Sequence, residues 1–442
     1  MKIPNSFLLA LTVLASAGAG HAQFFAPPVT LTAGAYPTCA VALDVDGDGT
    51  LDLAVANSTS IYALTNPVTV LTNDGHGGFG LKATLDVGTT PYSLAVLDIN
   101  GDGKPDLVSA NLNANTLTVL TNDGHGGLAL RQTLGTGVRP ISVAAADVNG
   151  DGKADLICVN QSDNTLTVFI NNGSDALVFS ATLNVGNKPI FVLPVDVNAD
   201  GKIDLVSADT YDNALTVLTN DGTGNFRFSA TLSFGTWPYS IASADFNGDG
   251  KVDLVAANHG VVGMEDRTLT VLTNDGSGGF VTSTILTVGR GPFYVIATDV
   301  NRDGKPDLIS ADFVYNTLTV LTNDGTGGFV TNATINVGKQ PRCVLAADLS
   351  GDGRLDLLSV NGYDSTLSLL LGLFPPPLAI QQTPTNTVLV SWPSPWSGFT
   401  LQTSGDLATG TWRDLTVAPA DDGTNRSVTV TPLGKVFYRL KQ

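Results

Sequence analysis

The chain has 442 residues and a formal net charge of −18, with 40 Asp and Glu against 22 Lys and Arg. This length allows two or three domains with a substantial core. The excess of acid excludes the basic surface by which proteins bind nucleic acid or anionic lipid, so we expect neither partner.

The N-terminal segment, residues 1–22, has the organisation of a secretory signal peptide. Lys2 gives a positive start, an apolar stretch runs from Phe7 to Ala17, and small residues near Ala22 are typical of a cleavage site. The apolar stretch is too short to span a membrane, and no later stretch qualifies. We therefore expect an exported protein, secreted or at the cell surface, in a compartment where calcium is abundant.

Seven acidic loops recur along the chain with a period typical of propellers and solenoids. The spacings between their first Asp residues are 54, 49, 49, 49, 54 and 49 residues; those residues are Asp44, Asp98, Asp147, Asp196, Asp245, Asp299 and Asp348. A Pro lies seven residues before each of them, and a Gly lies ten residues before. A third landmark, NDGxGxF or a relative, lies about halfway between consecutive loops.

Each repeat contains four short segments with strand character, here named a to d. In the third repeat they are residues 141–147, 155–161, 165–170 and 177–186, which are rich in β-branched residues and bounded by turn residues. Four strands in about 50 residues are typical of a propeller blade. Residues 24–34 have the character of a lone d strand, while the last repeat ends after strand c. The sequence therefore predicts an all-β, seven-bladed β-propeller over residues 24–373, closed by its N-terminal strand.

The repeats resemble the FG-GAP/VCBS repeats of integrin α-subunit propellers and of many secreted bacterial proteins. The resemblance rests on D-x-[DN]-x-D-G-x-x-D-L, as in residues 147–156, and on NDGxGxF, and it extends over seven copies. It implies a seven-bladed propeller with calcium in the a–b loop of each blade, and a ligand on the face away from calcium. The chain lacks clear Phe-Gly and Gly-Ala-Pro pairs of the integrin pattern, so the resemblance implies the fold more strongly than the function.

The acidic loops have the composition of a site for a hard cation. Positions 1, 3, 5 and 9 supply side-chain oxygens and position 7 a backbone carbonyl, an all-oxygen set that favours Ca²⁺. The Gly at position 6 is expected to fit a sharp turn in which a Cβ would clash. The alternative is that Asp and Asn only cap a tight turn. We favour calcium because three uncompensated carboxylates in one hairpin would repel one another. An EF-hand is excluded, since position 12 of the third loop is Cys158 and the flanking segments are strands.

We predict up to seven calcium ions, one in each blade. The predicted ligands, loop by loop, are Asp44, Asp46, Asp48, Thr50 and Asp52; Asp98, Asn100, Asp102, Lys104 and Asp106; Asp147, Asn149, Asp151, Lys153 and Asp155; Asp196, Asn198, Asp200, Lys202 and Asp204; Asp245, Asn247, Asp249, Lys251 and Asp253; Asp299, Asn301, Asp303, Lys305 and Asp307; and Asp348, Ser350, Asp352, Arg354 and Asp356. The first loop has four Asp and is expected to bind most tightly. Arg302 in the sixth loop and Ser350 in the seventh are expected to weaken binding.

The b–c and d–a connections lie on the propeller face opposite the acidic loops, here named the d–a face. Two insertions, residues 57–66 and 259–267, fall in its b–c connections. The aromatic residues of these connections are suited to stack on sugars or to anchor a protein partner; they are Tyr36, Tyr92, Tyr211, Trp237, Tyr239, Phe293, Phe313, Tyr315 and Tyr363. The alternative is that they pack the ends of the blades.

The sequence favours a binding or adhesion module for a glycan or protein ligand, with a lectin as the first form to test, and we expect a monomer. The alternatives are a polysaccharide lyase, suggested by the resemblance to calcium-containing lyase propellers, and a purely structural surface protein. His259 lies near Glu265 and Asp266 in what is predicted to be a surface hairpin. Because no catalytic motif accompanies it, no catalytic residue is assigned.

Cys39 and Cys343 each lie five residues before the first Asp of their loop, in the first and the last repeat. In a closed ring these blades are neighbours, so we hypothesise a disulfide between them, with two free thiols as the alternative. Cys158 is expected to be a small buried hydrophobic residue.

A Pro-rich linker at residues 374–377 ends the repeats. Residues 378–442 contain five or six strand-like segments and predict a small β-sandwich domain. Three of the four Trp residues, Trp392, Trp396 and Trp412, lie here. We expect them to pack the core of this domain, with a sugar-binding platform as the alternative.

Overall fold

The computed structural model describes residues 24–58, 67–173, 176–261, 263–373, 378–383, 387–393, 400–405, 411–421, 425–431 and 436–441. The predicted signal peptide and Pro-rich linker lie outside the described residues. The chain divides into two units, Pro27–Gly351 with Leu355–Leu371, and Met1–Ala26 with Asp352–Arg354 and Gly372–Gln442. No helix in the described ranges is long and apolar enough to cross a membrane.

The larger unit consists of short strands joined by tight connections. Its strands are β1 (Val29–Thr32), β2 (Pro37–Leu43), β3 (Asp52–Asn57), β4 (Pro67–Asn73), β5 (Phe79–Asp86), β6 (Pro91–Leu97), β7 (Asp106–Asn111), β8 (Thr116–Asn122), β9 (Leu128–Gly135), β10 (Pro140–Ala146), β11 (Asp155–Asn160), β12 (Thr165–Asn171), β13 (Leu177–Asn184), β14 (Pro189–Val195), β15 (Asp204–Asp209), β16 (Ala214–Asn220), β17 (Phe226–Ser233), β18 (Pro238–Ala244), β19 (Asp253–Val261), β20 (Met264–Asn274), β21 (Phe280–Thr287), β22 (Pro292–Thr298), β23 (Asp307–Asp312), β24 (Thr317–Asn323), β25 (Phe329–Asn336), β26 (Pro341–Ala347), β27 (Asp356–Asn361) and β28 (Thr366–Leu370). A 3₁₀ helix at Thr210–Asp212 is the one helical element of the described chain.

These strands form consecutive four-stranded antiparallel sheets. Among the described residues the sheets are β2-β3-β4-β5, β6-β7-β8-β9, β10-β11-β12-β13, β14-β15-β16-β17, β18-β19-β20-β21, β22-β23-β24-β25 and β1-β28-β27-β26. The a strand of each sheet contacts the a strand of the next, and β26 contacts β2. This all-β arrangement is that of a β-propeller.

The N-terminal strand completes the last sheet. It pairs antiparallel with β28, so that Val29 lies opposite Leu369 and Thr32 lies opposite Thr366. The offset of the repeats predicted this pairing. It satisfies backbone groups of β28 that would otherwise form an open edge.

Burial explains the choice of residues in each strand. Strand b of the third sheet, β11, is buried at every position, and its sequence DLICVN shows no polar alternation. Strand d of the fourth sheet, β17, has five exposed and three half-buried positions, and Phe228 is 66% exposed. The interior strands are therefore continuous and apolar, while the outer strand has one face in solvent.

The Gly ten residues before each loop makes room for a polar residue at the end of strand b. A Cβ on Gly137 would lie 2.7 Å from Asn160 Cγ, and the Gly137 amide donates to Asn160 Oδ1 at 3.1 Å. The side-chain amide of Asn160 donates to the hydroxyls of Thr165 and Thr167 on strand c. The corresponding residues of the other repeats are Asn57, Asn111, Asp209, Asn258, Asp312 and Asn361.

Every a strand contains a β-bulge directly after its first residue, a Pro. In β10, Pro140 pairs with Asn160 and Ser142 pairs with Val159, so Ile141 is the extra residue. The same register shift occurs in β2, β6, β14, β18, β22 and β26. A bulge re-aims a side chain away from the regular alternation of its strand.

The smaller unit contains two further sheets. Its strands are β29 (Ala379–Gln382), β30 (Val388–Pro393), β31 (Thr400–Ser404), β32 (Arg413–Asp414), β33 (Ala420–Asp421), β34 (Asn425–Val430) and β35 (Phe437–Lys441). In the described ranges they form the sheets β29-β30-β34-β33 and β32-β31-β35. Both sheets contribute to one apolar core, which includes Val390, Leu401, Val428 and Leu440.

The Trp residues of this unit differ in their surroundings. Trp392 is 1% exposed and packs in the core, as predicted. Trp412 is half-buried, and the guanidinium carbon of Arg439 lies 4.3 Å from its ring centroid. Trp396 lies outside the described residues.

Two buried Asp residues occupy the strand-b position that is Asn in the other five repeats. Asp209 accepts hydrogen bonds from Ser207 and Thr216, and Asp312 accepts from three hydroxyls, those of Ser310, Thr317 and Thr319. Burial outweighs these bonds and raises the pKa of each carboxyl to about 6. At neutral pH each buried carboxylate therefore destabilises the fold.

Asp209→Asn and Asp312→Asn are expected to stabilise the protein at pH 7.5 and to change little at pH 4. The pKa of each Asp carboxyl is about 6 in the folded state and about 4 in the unfolded state. The stabilisation by the protonated carboxyl is therefore complete below pH 4 and is lost as the pH rises through 6. A shift of two units corresponds to at most about 3 kcal/mol for each residue. Denaturant unfolding at both pH values measures the difference, with exposed Asp86→Asn as the control. Equal effects at the two pH values would contradict this assignment.

Candidate functional site

Backbone amides orient the carboxylates of the acidic loops. In the third loop, Asp147 accepts hydrogen bonds from the amides of Gly150 and Gly152, each at 2.7 Å. Asp151 accepts a hydrogen bond from the Lys153 amide at 2.9 Å. Turn capping, the alternative to metal binding, is therefore present in the loop. The amides fix where the carboxylates lie, and Asp147 Oδ2 and Asp151 Oδ1 each accept a single amide, which leaves each of these oxygens a further lone pair.

The Asp at position 9 ties two turns together. Asp155 is fully buried, and it accepts hydrogen bonds from the backbone amide of Val148 at 3.0 Å and the backbone amide of Asn171 at 2.8 Å. The first donor belongs to the acidic loop and the second to the c–d turn of the same sheet. Burial raises the pKa of Asp155, while the two amides oppose that shift. The same pair of bonds recurs at Asp52, Asp106, Asp204, Asp253 and Asp307.

The expected reason for the Gly at position 6 was wrong. Beyond its own chain neighbours, a Cβ added to Gly49, Gly103, Gly152, Gly201, Gly250 or Gly304 would meet no atom within 4 Å. The requirement is conformational, because φ at this position is between +76° and +86° in all seven loops, including Gly353. Position 4 is also left-handed, and Ala199 and Arg302 adopt φ of +58° there at some cost in strain.

The expectation that the carboxylates of each acidic loop are uncompensated was wrong, because a cationic side chain lies beside the position 5 carboxylate in six loops. In five loops the ammonium of the position 7 Lys lies 3.5–3.7 Å from the position 5 carboxylate; the pairs are Lys104–Asp102, Lys153–Asp151, Lys202–Asp200, Lys251–Asp249 and Lys305–Asp303. Arg354 lies 2.7 Å from Asp352 in the seventh loop. The five Lys–Asp pairs are exposed and offset only part of the repulsion within a loop.

The first loop has the arrangement that best fits a cation. Carboxylate oxygens of Asp44, Asp46 and Asp48 lie within 4.8 Å of one another, and position 7 is Thr50 rather than Lys. Asp46 Oδ1 is buried without a hydrogen-bond partner among the described residues. A buried carboxylate oxygen without a partner is costly unless an ion or water satisfies it. The donor set of this loop therefore fits a hard divalent cation.

The Asn of NDGxGxF links neighbouring sheets, a role that the sequence analysis missed. Asn220 is 5% exposed. Its side-chain amide donates to the carbonyl of Ile203 in its own sheet and to the carbonyl of Val148 in the preceding acidic loop. Asn73, Asn171, Asn274 and Asn323 make the same bond to a preceding loop. The repetition of this Asn in every complete c–d turn was the signal available in the sequence.

The two cysteines of the closure lie side by side in one core cluster. Both are free thiols in the structure. The hydrogen bond between the two thiols lowers the pKa of Cys39, and the same bond, together with burial, raises the pKa of Cys343. The predicted disulfide remains a hypothesis. Cys158 is buried, and burial raises its pKa well above the usual value.

Several aromatic residues of the d–a face are brought together. Tyr211 and Trp237 stack with ring centroids 5.4 Å apart. Tyr239, Phe293 and Phe313 form a second cluster, in which the two Phe rings stack at 5.4 Å and Tyr239 meets Phe293 edge-on at 4.8 Å.

The remaining predicted aromatic residues make other contacts. Tyr315 lies under the guanidinium of Arg267, and Tyr363 lies under the ammonium of Lys339. Tyr92 contacts Arg342 through its hydroxyl. Tyr36 is 47% exposed. The first b–c insertion lies largely outside the described residues, since residues 59–66 are not described.

His259 is not the surface residue that the sequence predicted. It is 5% exposed, stacks on Tyr239 at 4.4 Å, and its Nδ1 donates to the Gly260 carbonyl at 3.0 Å. Burial lowers its pKa. Glu265 pairs with Arg290 at 2.8 Å. His259 is therefore a neutral packing residue of the second aromatic cluster.

Asn220→Ala is expected to destabilise the protein by about 1–3 kcal/mol, because two buried carbonyls lose their donor. Thermal or denaturant unfolding measures this change. Asn225→Ala is the matched control, since Asn225 hydrogen-bonds only within its own exposed turn. Equal stability of the two variants would contradict the role of Asn220 in linking neighbouring sheets.

Solved structures with similar folds have low sequence identity to this chain. BBS1N in complex with ARL6DN has a TM-score of 0.55 at 13% identity, covering 78% of this chain and 98% of that chain. A protein from Lactobacillus plantarum has a TM-score of 0.53 at 15% identity, covering 87% and 97%. The periplasmic gluconolactonase PpgL of Pseudomonas aeruginosa has a TM-score of 0.50 at 17% identity, covering 65% and 83%. These likenesses support the propeller fold alone. No curated protein matches the sequence.

The repeats themselves match a known family. FG-GAP-like repeats are found at residues 44–109, 98–158, 147–195, 196–256, 261–310 and 299–359, and an FG-GAP repeat at 237–281. These matches extend over well more than half of the chain. The chain therefore belongs to the FG-GAP-like repeat family, and its β-propeller fold indicates a binding or structural module.

Proposed function

We propose that this protein is an exported, calcium-stabilised, seven-bladed propeller that binds a glycan on its d–a face. In this proposal the seven four-stranded sheets are the blades, and the two sheets of the smaller unit form an appended β-sandwich. The protein then acts as a lectin-like binding or adhesion module outside the cell.

The observation that carries the proposal is the exposure of aromatic rings on the d–a face. Tyr36, Tyr211, Tyr315 and Tyr363 are 47%, 59%, 46% and 56% exposed, and Trp237 stacks on Tyr211. Exposed aromatic faces with a polar edge are suited to stacking on pyranose rings. The acidic loops lie at the opposite ends of the a strands.

Calcium has a structural role in this proposal. The oxygens of positions 1, 3, 5 and 9, with the position 7 carbonyl, would hold it in each loop, and the fit is best at the first loop. Its contribution there is charge neutralisation: seven ions carry 14 positive charges, which would change the formal net charge from −18 to −4. Arg302, and the pair of Arg354 with Asp352, are expected to weaken the last two sites.

Chelation with EDTA is expected to lower the melting temperature by many degrees, because a metal bound only to the folded state stabilises it by about 2.7 kcal/mol per site at 100 times Kd. Titration calorimetry of Asp46→Asn should show the loss of the tightest site, while Asp86→Asn should retain it. An unchanged melting temperature with EDTA would refute the calcium assignment, and tightest binding in the sixth or seventh loop would refute the predicted ranking of the sites.

A glycan array with calcium present is expected to give a hit that Trp237→Ala abolishes. Phe228→Ala is the matched control, because Phe228 is an exposed aromatic residue on an outer strand, away from the d–a face. Equal loss in both variants would indicate non-specific stacking. The absence of any hit would favour a structural role or a protein partner.

A further inference from the structure

The bulged residues of the seven a strands form one ring at the mouth of the central channel. These residues are Thr38, Tyr92, Ile141, Ile190, Tyr239, Phe293 and Arg342, each directly after the repeated Pro. All seven line a cavity of about 790 Å³, which continues along the a strands as far as Ala42, Thr298 and Ala347. The volume is in the range of small-molecule sites.

The chemistry of the ring is asymmetric. Tyr239, Phe293 and Arg342 come from three consecutive sheets, and Tyr92 lies two sheets beyond Arg342. The sheets on the other side contribute Ile141 and Ile190. The ring therefore offers one cation among aromatic residues on one side and an aliphatic wall on the other.

Packing holds Arg342 in position. Its guanidinium carbon lies 5.8 Å from the ring centroid of Phe293 and 5.5 Å from that of Phe313, and its Nη1 donates to the Tyr92 hydroxyl at 3.4 Å. A Cβ on Gly362 would lie 2.5 Å from Arg342 Nε, so the absence of a side chain at Gly362 makes room for this arginine.

Arg342 has a fixed position but no anionic partner in the part of the chain that the structure describes. Other cations of the same face do have one: Arg290 pairs with Glu265 at 2.8 Å and Lys339 with Asp364 at 4.0 Å. A guanidinium held by ring faces can still pair with a carboxylate through two parallel hydrogen bonds.

The acidic loops do not neutralise this site. Asp348 lies directly after the end of β26 and follows Arg342 by six residues, a distance of about 20 Å at roughly 3.3 Å per residue. That distance exceeds the Debye length of about 8 Å at physiological salt.

We propose that the channel mouth binds the carboxylate of a uronic acid unit in an acidic glycan. Arg342 pairs with the carboxylate, and Tyr239 and Phe293 contact the sugar ring. One guanidinium among apolar walls balances a single negative charge, which favours a carboxylate over a doubly charged phosphate. This inference rests on the proposed glycan-binding function and specifies its ligand class.

Titration calorimetry of tetragalacturonate in saturating calcium tests the inference. Binding to the native protein is expected, and Arg342→Gln should weaken it at least tenfold. Gly362→Ala should also weaken it, by displacing the arginine. Arg139→Gln is the control: it removes the same charge from an exposed residue of the same face and should change affinity less than twofold. Neutral tetragalactose should bind at least tenfold more weakly than tetragalacturonate.

Equal weakening by Arg342→Gln and Arg139→Gln would overturn the inference, as would tighter binding of an acidic peptide than of the uronate. A neutral glycan that binds and is lost with Trp237→Ala, without any uronate binding, would refute the uronate site and keep the proposed function. Melting temperatures of all variants, measured alongside, separate loss of binding from loss of folding.

Discussion

At the ninth position of every acidic loop, a fully buried carboxylate accepts backbone amides, and the other features of the repeat depend on this interaction. In six repeats its two oxygens bind one amide from the acidic loop and one from the c–d turn, as Asp155 does with Val148 and Asn171. Desolvation opposes the charged form, so the amides must be held in place. The left-handed glycines and the linking Asn residues provide that restraint.

This constraint separates the two faces of the propeller. In the acidic loops, Asp at positions 1, 5 and 9 and Gly at position 6 recur in all seven repeats, because each loop must hold the same hydrogen-bonded turn. On the d–a face, the backbone bulge is repeated but the residue at the bulge is not, as Ile141, Tyr239 and Arg342 show. A fixed backbone with variable side chains is the arrangement expected of a recognition surface.

Much of the fold could be predicted from the sequence because the repeat combines local signals. The observed strand Asp155–Asn160 differs from its prediction by one residue, and the pairing of β1 with β28 followed from counting strands. The contacts that were missed join distant residues: Asn220 reaches Val148, 72 positions away. The burial of His259 depends on Tyr239 of the neighbouring strand. The ring at the channel mouth depends on a register shift that follows each repeated Pro, and the Pro alone does not show which way the next side chain points.

We propose that the acidic loops stabilise the ring while recognition takes place on the opposite face. Hydrogen exchange measured by mass spectrometry, with calcium and then with an acidic glycan added, tests both parts in one protein. Calcium should protect the acidic loops and c–d turns, such as residues 147–155 and 220–226. The glycan should then protect the d–a face, such as residues 237–241 and 339–343. Protection of the acidic loops by the glycan, with none on the d–a face, would contradict the account.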